Sequence, residues 1–129
     1  MSGWCHGSAG YVHLWTATHE ALGDDRWATL AEQAAWNTYT SPGGVAQLCC
    51  GDAGQVYGLL ALYRHSGERR WLTAAEELST RAAASAGVAR ADTPVAASLH
   101  KGIAGIAVLA ADLADPEAAA MPFFGREAD

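Results

Sequence analysis

Cys5, Cys49 and Cys50 are the three cysteines of the chain, and each stands just ahead of a glycine motif. Gly7-Ser8-Ala9-Gly10 follows Cys5, Gly51-Asp52-Ala53-Gly54 follows the Cys49-Cys50 pair, and Gly102-Ile103-Ala104-Gly105 follows His100-Lys101. All three motifs read Gly-x-Ala-Gly. Cys5, Cys49 and His100 therefore share one slot, two residues before the first glycine, and His6, Cys50 and Lys101 share the next. Apolar runs begin just after each motif, so the slots fall at helix N-termini, where free N–H groups and the helix dipole favour thiolate over thiol. Three cysteines, two of them adjacent, do not make a disulfide framework. They read as reduced thiols that bind metal or react, in a cytoplasmic setting. The plainer alternative for any one of them is a small buried apolar residue.

The elements that would position these slots form a repeat. The first two glycine motifs are 44 residues apart and the second two 51. The offset of 44 also carries Gly23 to Gly67, Arg26 to Arg70, Trp27 to Trp71 and Ala31 to Ala75. Such a period marks stacked supersecondary units, none of which buries its apolar face alone. Each unit reads as two helices. The run from Val56 to Tyr63 is apolar nearly all round, which predicts an inner helix buried on most sides. Gly67 stops it, and Trp71, Ala75, Leu78 and Ala82 then make a one-sided stripe, with Arg70, Glu76 and Glu77 left for solvent. The first unit repeats the pattern with Val12, Leu14 and Trp15 inside, then Trp27, Leu30, Ala31 and Ala34. The third has an inner helix over roughly 102–114, ended by Asp115-Pro116. Loops over 40–48 and 87–98 lead from outer helix back to inner. The expected architecture is all-α, one domain over 1–129, with units of roughly 4–47, 48–97 and 98–125.

Composition agrees. Half the residues are hydrophobic and 17% are charged, as in a globular chain, and alanine is abundant, which favours helix over sheet. The formal net charge is −6, with no basic cluster beyond Arg69-Arg70, which argues against a nucleic-acid surface. Met1 to Gly10 lacks the basic start and apolar run of an export signal. The longest apolar stretch, Ile103 to Ala111, is too short to span a bilayer. No Lys-Ser or Lys-Thr follows the glycines, so they are not a phosphate loop. His13, His19 and His65 fall inside or at the ends of helices and read as packing or surface residues. Trp15, Trp27 and Trp71 read as core.

Trp4-Cys5-His6-Gly7 and Cys49-Cys50-Gly51 resemble the Trp-Cys-x-Gly and Cys-His-Gly boxes of the lanthionine synthetase C family. Ala61-Leu62-Tyr63-Arg64-His65-Ser66-Gly67, Ser98-Leu99-His100-Lys101-Gly102, Asp112-Leu113-Ala114-Asp115-Pro116 and Met121-Pro122-Phe123-Phe124 are similar to the same family. The wording is closest to the cyclase halves of bifunctional lanthipeptide synthetases. The resemblance implies part of an α/α toroid with inner and outer helix rings, and a catalytic Zn²⁺. Its ligands would be Cys5, Cys49 and Cys50, with Cys50 where most members have histidine. Three ligands and an open fourth place are how proteins build catalytic zinc. A structural site closed by His6 or His100 is the alternative.

The implied reaction is addition of a cysteine thiol of a ribosomal precursor peptide to a dehydroalanine or dehydrobutyrine, leaving a thioether ring. A proton must then reach the enolate, and His6 and His100 are the catalytic candidates within the chain. For His6 the alternative is a role in orienting a ligand, and for His100 a role in lining the pocket. In the family the acid, a histidine, with an aspartate and an arginine, lies upstream of the first box. Met1 is four residues before Cys5, so the chain is expected to be a C-terminal fragment whose partner is an upstream half. Val12, Leu14 and Trp15 are then expected to stay partly exposed. The competing reading is a non-catalytic helical module that binds zinc or a peptide.

Overall fold

The computed structural model describes residues 1–86 and 96–124. Among them are helices α1 (Ser8–Leu22), α2 (Asp25–Thr40), α3 (Asp52–Ser66), α4 (Arg69–Ala86) and α5 (Ile103–Asp112), and no strand. The chain is thus all-α. No helix among the described residues is long and apolar enough to cross a membrane. Most of the expected second loop, 87–98, lies outside the described residues.

The repeat is visible in the backbone. Gly7, Gly51 and Gly102 each precede the first residue of an inner helix in an extended conformation. The hairpins α1–α2 and α3–α4 turn on Gly23 and Gly67, both left-handed, with φ of 69° and 72°. Their N–H groups close the preceding helices on the carbonyls of His19 and Tyr63, at 2.8 and 2.7 Å. The equivalent arginines and tryptophans also repeat their contact, with the guanidinium 4.7 Å from the ring centroid for Arg26 on Trp27 and 4.9 Å for Arg70 on Trp71.

The last glycine of each motif is a packing requirement. A Cβ on Gly10, Gly54 or Gly105 would stand 2.2, 2.1 or 2.2 Å from the carbonyl oxygen of Trp4, Leu48 or Leu99, the residue six places earlier. The first turn of each inner helix thus closes directly onto the segment that carries the cysteine slot. Gly54→Ala should cost about 3 kcal/mol of stability, because backbone rather than a flexible side chain must give way. Urea unfolding measures this, and a loss below about 0.5 kcal/mol would show that the approach is not needed.

Helix α3 is the centre of the packing and touches each of the other four helices. Every residue from Asp52 to Leu60 is buried, as the all-round apolar pattern predicts for the part from Val56 onward. On α4 the stripe Trp71, Ala75, Leu78 and Ala82 is buried, while Arg70, Glu76 and Glu77 are exposed. The first unit departs from expectation. Val12 is fully buried and joins the core with Ala31, Ala35 and Val56, so it does not stay partly exposed. Leu14 does, at 49% exposure, and Trp15 is partly covered and stacks on Trp27. Helix α5 is shorter than expected. It ends at Asp112, whose carboxylate accepts a 2.5 Å hydrogen bond from Tyr57 on α3.

Candidate metal centre

The cysteines and His100 lie in three short turns that open the inner helices, and the backbone sews these turns together. The Cys5 N–H donates to the Cys49 carbonyl at 3.2 Å, and the Cys49 N–H donates to the His100 carbonyl at 2.8 Å. The three residues of the shared slot thus form a hydrogen-bonded row across neighbouring units. The loop before the second turn is fixed by buried polar groups of α3. Asp52 accepts from the N–H groups of Gly43 and Gly44 at 2.7 and 3.3 Å, and Gln55 donates to the Ser41 carbonyl at 3.1 Å.

This scaffold brings all three thiols together. The Sγ atoms of Cys5 and Cys50 are 3.4 Å apart, as are those of Cys50 and Cys49, and all three lie within 4.8 Å of one another. Tetrahedral zinc, with bonds of about 2.3 Å, holds pairs of sulfurs about 3.8 Å apart. The cluster is close to that spacing without any change of backbone, and the soft donor set suits zinc. Cys5 is exposed and the other two are half-buried, so the cluster can be reached from outside. It is the one group of three or more candidate ligands among the described residues.

Its electrostatics show what a cation would relieve. Burial pushes the Cys5 thiol up, but hydrogen bonds from His6, Cys49 and Cys50 outweigh that and bring it to about 7. Burial, together with the Cys5 and Cys50 sulfurs, pushes Cys49 up to about 12. One negative charge is welcome in the cluster and a second is resisted; a divalent ion at its centre reverses the resistance. In metal-free protein, alkylation of Cys5 should therefore rise as pH passes about 7, with Cys49 the slower thiol at pH 8. Peptide mapping after brief alkylation reads this, and earlier labelling of Cys49 would contradict it.

The two candidate histidines are placed differently. His6 Nδ1 is 2.8 Å from the Cys5 sulfur, directly at the cluster. The His100 ring instead stacks on Trp4, with centroids 6.4 Å apart, and Trp4 meets the edge of Phe124 at 4.8 Å. His100, Trp4 and Phe124 form an aromatic wall next to Cys5.

From Cys5 and this wall a cleft of about 870 Å³ runs between α1, α3 and the segment after α5. His13, Arg64, His65, Glu117 and Met121 are among its lining residues. The segment after α5 is fastened to α3: Tyr63 donates to Glu117, and Arg64 donates to the Ala119 carbonyl at 2.5 Å. His13 reads from sequence as packing or surface, yet it forms part of the cleft wall. Burial, with the nearby Arg64 charge, lowers it to about 4, so it is neutral at physiological pH, and its buried Nε2 has no hydrogen-bond partner among the described residues. No local signal identifies these wall residues, because the contacts that define the cleft join residues more than fifty positions apart.

The family model for lanthionine synthetase C-like protein matches residues 1–125. The chain matches no curated protein.

Proposed function

The chain belongs to the lanthionine synthetase C-like family, and on that premise we propose that it takes part in zinc-dependent thioether ring formation in a dehydrated precursor peptide. The observation that carries this reading is the convergence of Cys5, Cys49 and Cys50 into one cluster whose exposed member, Cys5, borders a cleft of about 870 Å³. A cysteine thiol of the peptide adds across the double bond of a dehydroalanine or dehydrobutyrine. Its sulfur bonds to the β-carbon, and one proton is delivered to the α-carbon, so the peptide mass does not change.

Cys5, Cys49 and Cys50 would hold the ion, and bound zinc supplies the charge that keeps an incoming thiol ionised at neutral pH. Their three negative charges leave the site with a net charge of −1, which preserves the nucleophilicity of the peptide sulfur at some cost in Lewis acidity. His6 is bonded to the Cys5 sulfur and would orient it. We assign return of the proton to His6 or His100, the titratable rings nearest the thiols and the aromatic wall. The cleft would hold the peptide in extended form, with Trp4 and Phe124 packing on the residue beside the reacting thiol. Three adjacent reduced thiols suit the cytoplasm.

The test is to incubate a dehydrated precursor peptide with the zinc-loaded chain and to follow its free thiol by alkylation. Slow, zinc-dependent loss of thiol is expected. A peptide thiol that persists, or that disappears equally fast with the Cys49→Ala protein, would overturn the reading.

A further inference from the structure

The opposite ends of α1 and α3 carry a second cluster of metal-ligating side chains, apart from the thiols and given no chemical role in the cyclase reading. His19 and His65, each in the last turn of its helix, face one another with Nδ1 of His19 2.8 Å from Nε2 of His65. The outer nitrogen of each ring meets a carboxylate. His19 Nε2 is 3.5 Å from Asp25 Oδ1, and His65 Nδ1 is 3.4 Å from Glu20 Oε1. The side chains of the two rings are only 25% and 13% exposed.

The protons along this row do not balance for two neutral rings. Glu20, the less exposed carboxylate, is best met by an N–H on the outer His65 nitrogen, the exposed Asp25 favours one on His19 alongside solvent, and two neutral rings carry two N–H groups in all. If both point outward, two lone pairs confront each other 2.8 Å apart. If one turns inward to bridge the rings, an outer lone pair is left against a carboxylate. Each arrangement leaves a lone pair facing another lone pair or a carboxylate, a place that favours added positive charge. A divalent ion between the inner nitrogens supplies it. Both inner lone pairs become ligands, and both outer N–H groups stay on carboxylates, the arrangement that metal-binding histidines adopt. Bonds of about 2.0–2.1 Å in tetrahedral geometry place two nitrogens roughly 3.3 Å apart, which asks for a ring shift of about half an ångström.

We propose that His19 and His65 form a second metal site, for a divalent ion that prefers imidazole, such as Ni²⁺ or Zn²⁺. Asp25 and Glu20 orient the two rings, and water completes the coordination. The site clasps α1 to α3. It stands roughly 20 Å along α1 from the thiols, on the cleft that His65 and Glu20 help to line. It is independent of the cyclase reading, because it uses none of the cysteines.

Isothermal titration of the zinc-loaded full chain with Ni²⁺, at about pH 7.5 where free imidazole is neutral, tests this. The expected result is one further Ni²⁺ per chain, with binding at least tenfold weaker in both His19→Gln and His65→Gln. Ni²⁺ should also raise the Tm of the unchanged chain but not that of His65→Gln. Should either histidine variant fold poorly, Asp25→Asn, at a fully exposed position, gives the same reading with a smaller loss. Equal Ni²⁺ affinity in the variants, or no saturable binding at millimolar Ni²⁺, would overturn the proposal. The second result would mean that a shared proton alone joins the rings.

Discussion

Replacing Cys49 by Ala is expected to lower zinc affinity by roughly 10²–10³-fold, an effect that only loss of another cysteine ligand should match. Structural zinc sites bind with about 10–16 kcal/mol in total, so one ligand of four accounts for roughly 3–4 kcal/mol. Cys49 lies between the other two turns, hydrogen-bonded through its backbone to Cys5 and to His100. Its loss removes a sulfur from the middle of the row while leaving the backbone bonds in place. Glu76→Ala, on the solvent face of α4, should leave affinity unchanged. Competition with a chromogenic chelator gives both numbers. A Cys49→Ala protein that holds zinc within threefold of the unchanged chain would show that the cluster is not the metal site.

The second large effect concerns pH and zinc together. A free thiol with pKa near 8.5 is only a few per cent ionised at pH 7, so keeping the peptide thiol ionised is worth about 30-fold in rate there. That advantage should shrink to about fourfold at pH 8 and nearly vanish at pH 9. Rates of thiol loss with zinc-loaded and chelator-treated protein, compared at pH 7, 8 and 9, should therefore converge upward. A ratio that is flat across this range would mean that ionisation of the thiol is not what zinc contributes.

The parts of the fold that could be read from sequence are those in which a backbone constraint selects a residue type. Gly23 and Gly67 are legible because their left-handed turns exclude most side chains, and Gly10, Gly54 and Gly105 because a carbonyl occupies the place of a Cβ. The cysteine row follows from these, since equal positions in equal units must be neighbours. Val12 shows the limit. With Leu14 and Trp15 it is expected to stay partly exposed, but burial depends on how α1 packs on its neighbours, and Val12 is fully buried in the core with Ala31, Ala35 and Val56. The His19–His65 pair is illegible for a related reason. The two residues do not match under the 44-residue offset, and only the packing of α1 on α3 brings their rings together. The end of α5 depends on Tyr57, 55 residues before the carboxylate that it binds.

X-ray absorption at the zinc edge of the purified, zinc-loaded chain tests the central claim most directly. The account predicts about one tightly held zinc per chain, with three sulfur neighbours near 2.3 Å and one lighter neighbour. A first shell dominated by oxygen or nitrogen, or protein that retains no zinc after exposure to it, would contradict the assignment of Cys5, Cys49 and Cys50 as its ligands.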